Sequence, residues 1–224
     1  VFLDMFGDPV TNPKGWKIGA IRDLAESVNY GTSSKAGATG QYPILRMGNI
    51  TYEGFWDFSD LKYIDLSEKD QTKYLAYKND VLFNRTNSKE LVGKTAVYRK
   101  SEPMAFAGYL VRLITNARAN PEYLSAYMNT KYMKQVLEQK CKSIVGMANI
   151  NAQEFQNFSV LIPPIEIQND YAEFVDAVLQ KKPTFNQNLT KMTKLFNSLQ
   201  QRAFRGELTS SSLAELDTLA SQDM

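Results

Sequence analysis

Histidine is absent from the sequence and cysteine occurs once, and these two absences exclude much catalytic and metal chemistry. Without an imidazole the chain has no histidine base, no Ser-His-Asp triad and no histidine metal ligand. Cys141 alone cannot form an internal disulfide, which fits a reducing compartment. We therefore expect no catalytic residue, no metal site and no cofactor.

Long apolar runs are also lacking. None approaches the roughly 18 residues that a membrane-spanning helix needs. The first residues, VFLDMFGDP, contain acids and an early Gly-Asp-Pro, unlike a signal peptide. A content of 43% hydrophobic and 22% charged residues is that of a globular protein with a real core. These features predict a cytoplasmic protein that does not associate with a membrane.

Charge is small in total but uneven along the chain. The net charge is +2, yet residues 69–118 contain ten basic and four acidic side chains. A basic segment on a nearly neutral protein is typical of a protein that binds DNA on one face. A solvated basic face without a ligand is the alternative.

The pattern of residues predicts an α+β fold with three segments. Short strands between turns dominate residues 42–113, residues 121–140 have the spacing of one helix, and residues 30–40 are a flexible Gly/Ser/Thr loop. We expect a globular domain of mixed short strands and helices over residues 1–164. A long helix over residues 165–208, which forms a coiled coil, and an acidic tail over residues 209–224 follow it.

The long helix carries an imperfect apolar seam. Its apolar side chains recur at heptad spacing, so the helix needs a partner surface, either a second copy of the chain or its own domain. Pro183 should kink or break the helix near Lys182. The side chains predicted to form a dimer interface are Tyr171, Phe174, Val178, Phe185, Met192, Leu195 and Leu199.

Three polar clusters could contact DNA. Arginine pairs bidentately with guanine, asparagine with adenine, and lysine binds phosphates. The alternative is that these side chains cap turns, as Asn and Thr often do. If so, residues 30–40 or 146–151 are the next candidates for the DNA-contacting surface. The candidate DNA-binding residues are Arg46, Asn49, Arg85, Asn87, Lys89, Lys94, Asn149 and Asn151.

Several segments, in this order, resemble a type I restriction-modification specificity subunit. They are GDPVTNPKGWK, YPILRMGNI, DVLFNRTNSKELVGKTAVY, FAGYLVRLI, NINAQEF, IPPIEIQ and LFNSLQQRAFRGEL. The resemblance extends from about Gly7 to Leu208 and covers one target-recognition domain and one conserved helix. It corresponds to half of a full-length subunit.

The resemblance implies a non-catalytic subunit that recognises one half of a bipartite site in double-stranded DNA. In this family the helices form an antiparallel coiled coil that spaces two recognition domains. Methyltransferase subunits dock on this frame and supply the S-adenosylmethionine chemistry, and a restriction subunit that cleaves DNA with ATP can join them. Residues 166–168 and 202–207 are the candidate docking surfaces for the methyltransferase.

Two other functions stay open. The first is a stand-alone DNA-modifying enzyme, which the absence of histidine and of cofactor motifs disfavours. The Gly93-Lys94-Thr95 triplet resembles the end of a phosphate-binding loop, but Ser88 occupies the position where that loop requires glycine. The second is an interaction module whose helix recruits a partner without DNA recognition.

Overall fold

The computed structural model describes residues 1–144 and 147–208, and these residues form an α+β fold, as predicted. Residues 1–173 form one compact unit, and the described residues from 174 to 208 belong to a second one. The predicted acidic tail, residues 209–224, lies outside the described residues. The helices are α1 (Phe2–Phe6), α2 (Glu68–Tyr74), α3 (Pro121–Met128), α4 (Lys131–Lys140), α5 (Ala152–Gln156) and α6 (Ile165–Phe204).

The strands are short and belong to four sheets within the described residues. The sheet orders are β1-β13, β2-β10-β6-β8, β11-β12-β7 and β4-β3-β9-β5, and the pair of β3 with β9 is parallel. The strands are β1 (Lys17–Ala20), β2 (Ala25–Tyr30), β3 (Tyr42–Leu45), β4 (Lys62–Ile64), β5 (Leu75–Ala76), β6 (Val81–Asn84), β7 (Thr86–Asn87), β8 (Thr95–Val97), β9 (Met104–Phe106), β10 (Leu110–Thr115), β11 (Lys142–Ile144), β12 (Met147–Asn149) and β13 (Ser159–Ile162).

Strand β6 separates the two largest hydrophobic cores. Successive side chains of a strand point to opposite faces of its sheet. Val81 and Phe83 accordingly enter the larger core, which also holds α3 and α5, whereas Leu82 enters the smaller one. All four residues of β6 are buried, which explains why the segment is continuously apolar up to Asn84 instead of alternating.

Arg112 of β10 lies inside the fold. Its side chain is 6% exposed, and its guanidinium lies 3.8 Å from the Asp80 carboxylate and donates to the Leu75 carbonyl. Burial raises the pKa of Asp80. Arg99 is likewise engaged, in a two-bond pair with Glu122 at 2.7 and 2.6 Å. Part of the charge of residues 69–118 therefore stabilises the fold and does not form a basic surface.

The single helix predicted for residues 121–140 is in fact two helices. Asn129 ends α3, and its side-chain amide donates to the carbonyls of Thr95 and Ser125. Thr130 then caps α4, because its hydroxyl accepts the Met133 N–H at 3.2 Å. The chain changes direction at Asn129 and Thr130 because both side chains form hydrogen bonds with the backbone. The spacing of apolar residues does not reveal such bonds.

The Gly/Ser/Thr loop that we predicted to be flexible is held at two points. Thr32 donates its N–H to Phe106 at 2.9 Å, and Gly37 and Tyr63 exchange two backbone hydrogen bonds. A Cβ at Gly31 would lie 2.3 Å from the Ala107 carbonyl oxygen, so glycine permits the close approach at the first point.

Helix α6 continues through Pro183, and the predicted break is not found. Proline has no backbone N–H, so the carbonyl four residues before it loses its helical hydrogen bond. Because Pro183 lies on an exposed part of the helix, water can bond to that carbonyl instead. Among the described residues, no helix combines the length and the hydrophobicity of a membrane span.

Candidate nucleic-acid interface

A cleft of about 1040 Å³ opens in the unit formed by residues 1–173. Six of the eight candidate DNA-binding residues line it, namely Arg46, Asn49, Arg85, Asn87, Lys94 and Asn149. The loop after β2, the turn after β3 and the turn after β9 supply most of the other walls.

Sheet pairing brings these distant segments together. Strand β12 pairs with β7 in a register that places Asn149 opposite Thr86, next to Arg85. The parallel pair of β3 and β9 places Leu45 opposite Phe106, so that Arg46 follows on the same edge as the turn at residues 107–109. Arg85 and Asn149, which are 64 positions apart in the sequence, thus meet in one cleft.

Arg85 is held from three sides. Its Nη2 donates to Asn149 Oδ1 at 2.9 Å and its Nη1 to the Gly108 carbonyl at 3.4 Å. The guanidinium carbon lies 5.0 Å from the centre of the Tyr30 ring. Tyr30 is itself fixed, because its hydroxyl accepts the Ala152 N–H at 2.8 Å. The arginine is therefore oriented before any ligand arrives, which lowers the entropy cost of binding.

Asn49 organises the turn beneath the cleft. Its side chain is 3% exposed, accepts the Arg46 N–H, and donates to the carbonyls of Asp57 and Asp60 at 2.9 and 3.0 Å. Arg46 pairs with the Asp60 carboxylate at 2.8 Å. Among the cluster around residues 46–49, Arg46 is therefore better placed than Asn49 to contact a ligand.

Lys94 is buried, with 7% of its surface exposed. Its ammonium donates to the Met47 carbonyl at 3.1 Å and to the Ile50 carbonyl. Burial lowers the pKa of Lys94. Two of its three N–H donors thus join the start of β8 to the turn after β3. This arrangement favours a structural role for Lys94 over the phosphate contact that we expected from its position in the basic segment.

Lys89 and Asn151 do not line the cleft. Lys89 is exposed. Asn151 caps α5: its Oδ1 accepts the Glu154 N–H at 2.8 Å, and Glu154 in turn accepts the Asn151 N–H at 2.9 Å. The capping alternative therefore describes Asn151 well. Residues 145 and 146, part of the alternative surface at 146–151, lie outside the described residues.

The cleft also contains residues that sequence reasoning missed. Lys62 of β4 and Tyr109, which is 49% exposed, both line it. Neither residue lies in a cluster of polar residues, so nothing in the sequence identifies it as a candidate for DNA binding. Lys35 lines the cleft too and belongs to the loop at 30–40 that we considered as an alternative surface. With Lys35, Lys62, Arg46, Arg85 and Lys94 against Asp57 and Asp60, basic side chains prevail in the lining.

A second surface lies on α6. Six of its apolar side chains are more than half exposed, and three of them, Leu189 at 64%, Phe196 at 65% and Phe204 at 83%, were not predicted. Leu189 and Phe196 lie four residues after Phe185 and Met192, so a search at four-residue as well as three-residue spacing would have found these two. The other exposed apolar side chains of α6 are Phe174, Val178, Phe185, Met192 and Leu195.

Tyr171 differs from the other seam positions because it packs within the unit of residues 1–173. Its ring lies 5.5 Å from the rings of both Phe2 and Phe6. Burial raises the pKa of its hydroxyl. Gln168 is also occupied, since it is fully buried and bonds to Asn120, Arg118 and Pro163. It is therefore not available in the docking surface predicted at 166–168.

The α+β unit with a basic cleft, continued by a 40-residue helix, has the fold of type I restriction-modification specificity subunits. A chain from a structure on complex assembly and conformational transition of the type I system superposes with a TM-score of 0.59 at 18% identity, covering 88% of this chain and 47% of that one. The S subunit of Thermoanaerobacter tengcongensis superposes with a TM-score of 0.53 at 18% identity, covering 92% and 49%.

Sequence comparison gives the family. Residues 13–194 match the type I restriction modification DNA specificity domain, and the chain belongs to that family. It is 28% identical over 209 residues to the type I restriction enzyme EcoKI specificity subunit of Escherichia coli K12, covering 90% of this chain and 45% of that protein. The chain spans about half the length of the curated relatives it matches.

Proposed function

We propose that this chain recognises one half of a bipartite DNA site for a type I restriction-modification complex in the cytoplasm. The observation that carries the proposal is that four candidate DNA-binding side chains and two further lysines converge on one basic cleft in a member of the DNA specificity domain family. These side chains are Arg46, Arg85, Asn87, Asn149, Lys35 and Lys62. The guanidinium of arginine and the amide of asparagine contact base edges, and the ammonium of lysine contacts phosphates. Arg85, Asn87 and Asn149 are the proposed base-contacting residues, and Lys35, Lys62 and Lys89 the proposed phosphate-contacting ones.

The test of DNA recognition is selection of bound duplexes from a random library, followed by affinity measurements on selected and scrambled duplexes. We expect a defined half-site and an affinity that falls with salt. Salt-dependent binding with no preferred sequence, or no binding at all, would contradict the proposal. The second outcome would favour an interaction module.

We propose that the chain contributes specificity while a methyltransferase subunit contributes the chemistry. The specificity-subunit relatives support this division, and the chain offers no histidine for acid-base catalysis. Methylation of the selected half-site should require both proteins together. Methylation or cleavage by the purified chain with S-adenosylmethionine, Mg²⁺ and ATP would instead revive the enzyme alternative.

For docking of the methyltransferase, residues 202–207 at the end of α6 are the remaining candidate among the two predicted surfaces. Deleting the residues after Leu195 should abolish co-purification with the methyltransferase subunit, if this segment is the docking surface. Retained co-purification would place the contact on the unit of residues 1–173. A restriction subunit is a further proposed partner, detectable as ATP-dependent cleavage when all subunits are combined.

We also propose that two copies associate through α6 in an antiparallel, two-fold arrangement. Phe185 and Met192 are each 69% exposed, and burying such a side chain contributes about 1.5–3 kcal/mol. A half-length chain that pairs in this way would provide the two recognition domains that a bipartite site needs.

Light scattering tests this association, with a dimer expected at twice the 25.4-kDa mass of the chain. Met192→Asp and Phe196→Asp should each give a monomer. Gln187→Asp adds the same charge on the opposite side of the helix and should leave the dimer intact. A wild-type monomer at micromolar concentration would overturn the proposal.

A further inference from the structure

We infer that the wall of the cleft formed by Arg85, Asn87 and Asn149, here called the Arg85 wall, recognises guanine in the major groove. This inference rests on the proposed function, because it presumes that the cleft binds DNA. It concerns which base edge fits the wall, and the hydrogen bonds within the wall carry it.

Arg85 presents donors only. A guanidinium has five N–H groups and no acceptor. Two of them are used inside the protein, by Asn149 Oδ1 and the Gly108 carbonyl. Nε has no protein acceptor although it is buried. One N–H group on each of Nη1 and Nη2 is thus left for a ligand, on a guanidinium that Tyr30 and Asn149 hold in place.

The two asparagines have their amide orientations fixed by donor partners. Asn149 Oδ1 receives the Arg85 bond, and Asn87 Oδ1 receives the Ser88 N–H at 2.9 Å. Because an arginine and a backbone N–H can only donate, the oxygen of each amide has to face its partner. The NH₂ group of each amide therefore points away from that partner.

This arrangement changes what the asparagines can recognise. Asparagine pairs bidentately with adenine when its oxygen and its nitrogen both face the base. At Asn149 and Asn87 the oxygen already faces a protein donor, so that pairing is disfavoured. The Arg85 wall then offers N–H donors and few acceptors to a ligand.

Among the four bases, guanine alone presents two neighbouring acceptors, N7 and O6, in the major groove. Adenine and cytosine each present an amino group there, which would face the donors of the wall. A donor-rich wall with a pre-oriented arginine therefore matches guanine best. From the sequence we expected asparagine to select adenine. The structure instead leads us to infer that Asn149 orients Arg85 and that Asn87 and Asn149 add N–H donors beside it.

The experiment uses the full chain assembled with its methyltransferase subunit and the half-site selected from a random library. Each guanine of the half-site is replaced in turn by 7-deazaguanine, which removes the N7 acceptor and keeps the base pair. At one guanine we expect the wild-type complex to lose about 5- to 150-fold in affinity. The same analogue at guanines outside the cleft should have little effect.

Variants connect that guanine to the wall. Arg85→Ala should lose a similar factor on unmodified DNA and should no longer respond to the analogue. Asn149→Asp keeps an acceptor for Arg85 but replaces the NH₂ donor with an oxygen, so it should weaken binding to the guanine site. Asn151→Ala, outside the cleft, should keep the wild-type response to 7-deazaguanine.

The outcomes separate the inference from the proposed function. Absence of any sequence preference overturns the proposed function itself. A clear preference in which no guanine depends on both N7 and Arg85 overturns the guanine inference and leaves DNA recognition intact. The dependence on N7 is measured on the wild-type protein, so it stands even if Arg85→Ala does not fold, and Asn149→Asp then tests the link to the wall.

Discussion

Replacing Lys94 and Lys89 by methionine, one at a time, separates a structural lysine from one that we propose to contact a DNA phosphate. Lys94 is 7% exposed, and its ammonium donates to the carbonyls of Met47 and Ile50. A hydrogen bond to a charged group contributes about 1.5–3 kcal/mol. Desolvation of the ammonium offsets part of the two bonds, so we expect Lys94→Met to lower the free energy of unfolding by about 2 kcal/mol. That loss corresponds to a fall in Tm of about 4–8 °C for a chain of this length.

Lys89 is exposed, so Lys89→Met removes the same charge without removing a buried bond. We expect its Tm to stay close to that of the wild type. On DNA, loss of one phosphate contact should lower the slope of log K against log salt by about 0.9. Thermal unfolding and binding at several salt concentrations measure both quantities. If Lys94→Met leaves Tm unchanged and lowers the salt slope, the structural role that we derive from its burial is wrong.

Three further changes test other parts of the fold. Asp80→Ala leaves Arg112 buried without its carboxylate, so urea denaturation should show a loss of about 3–5 kcal/mol in unfolding free energy; a loss below about 1 kcal/mol would be inconsistent with a paired, buried arginine. Asn151→Ala removes the cap of α5 and should cost about 1 kcal/mol while leaving the selected DNA sequence unchanged; a changed sequence would reveal a base contact. Gly31→Ala places a Cβ 2.3 Å from a backbone oxygen, so it should cost about 1–3 kcal/mol and weaken DNA binding; an unchanged Tm would show that the loop moves aside.

The sequence was sufficient for the fold class and the family. The periodic spacing of apolar residues identified α6. Short runs of β-branched residues separated by turn residues identified the strands. Both patterns arise because one face of each helix or strand is buried. The order of motifs from Gly7 to Leu208 identified the family. Clusters of Arg, Asn and Lys marked six residues that line the cleft.

What each member of a cluster contacts was decided only by the tertiary structure. Lys94 and Lys89 look alike in sequence, yet Lys94 is buried beneath the turn at Met47 and Ile50, while Lys89 is exposed. Asn149 and Asn151 are two residues apart, yet one orients Arg85 and the other caps a helix.

The physical reason is that a polar side chain can bond to its own backbone, to a distant strand or to a ligand with the same atoms. The spacing of residues along the chain records which face of an element is buried. It does not record which strands become neighbours, and here the pairing of β7 with β12 and of β3 with β9 set the partners of Arg85 and the position of Arg46. The pairing of strands that are distant in the sequence thus determined the geometry of the cleft, and the local pattern of residues does not reveal that pairing.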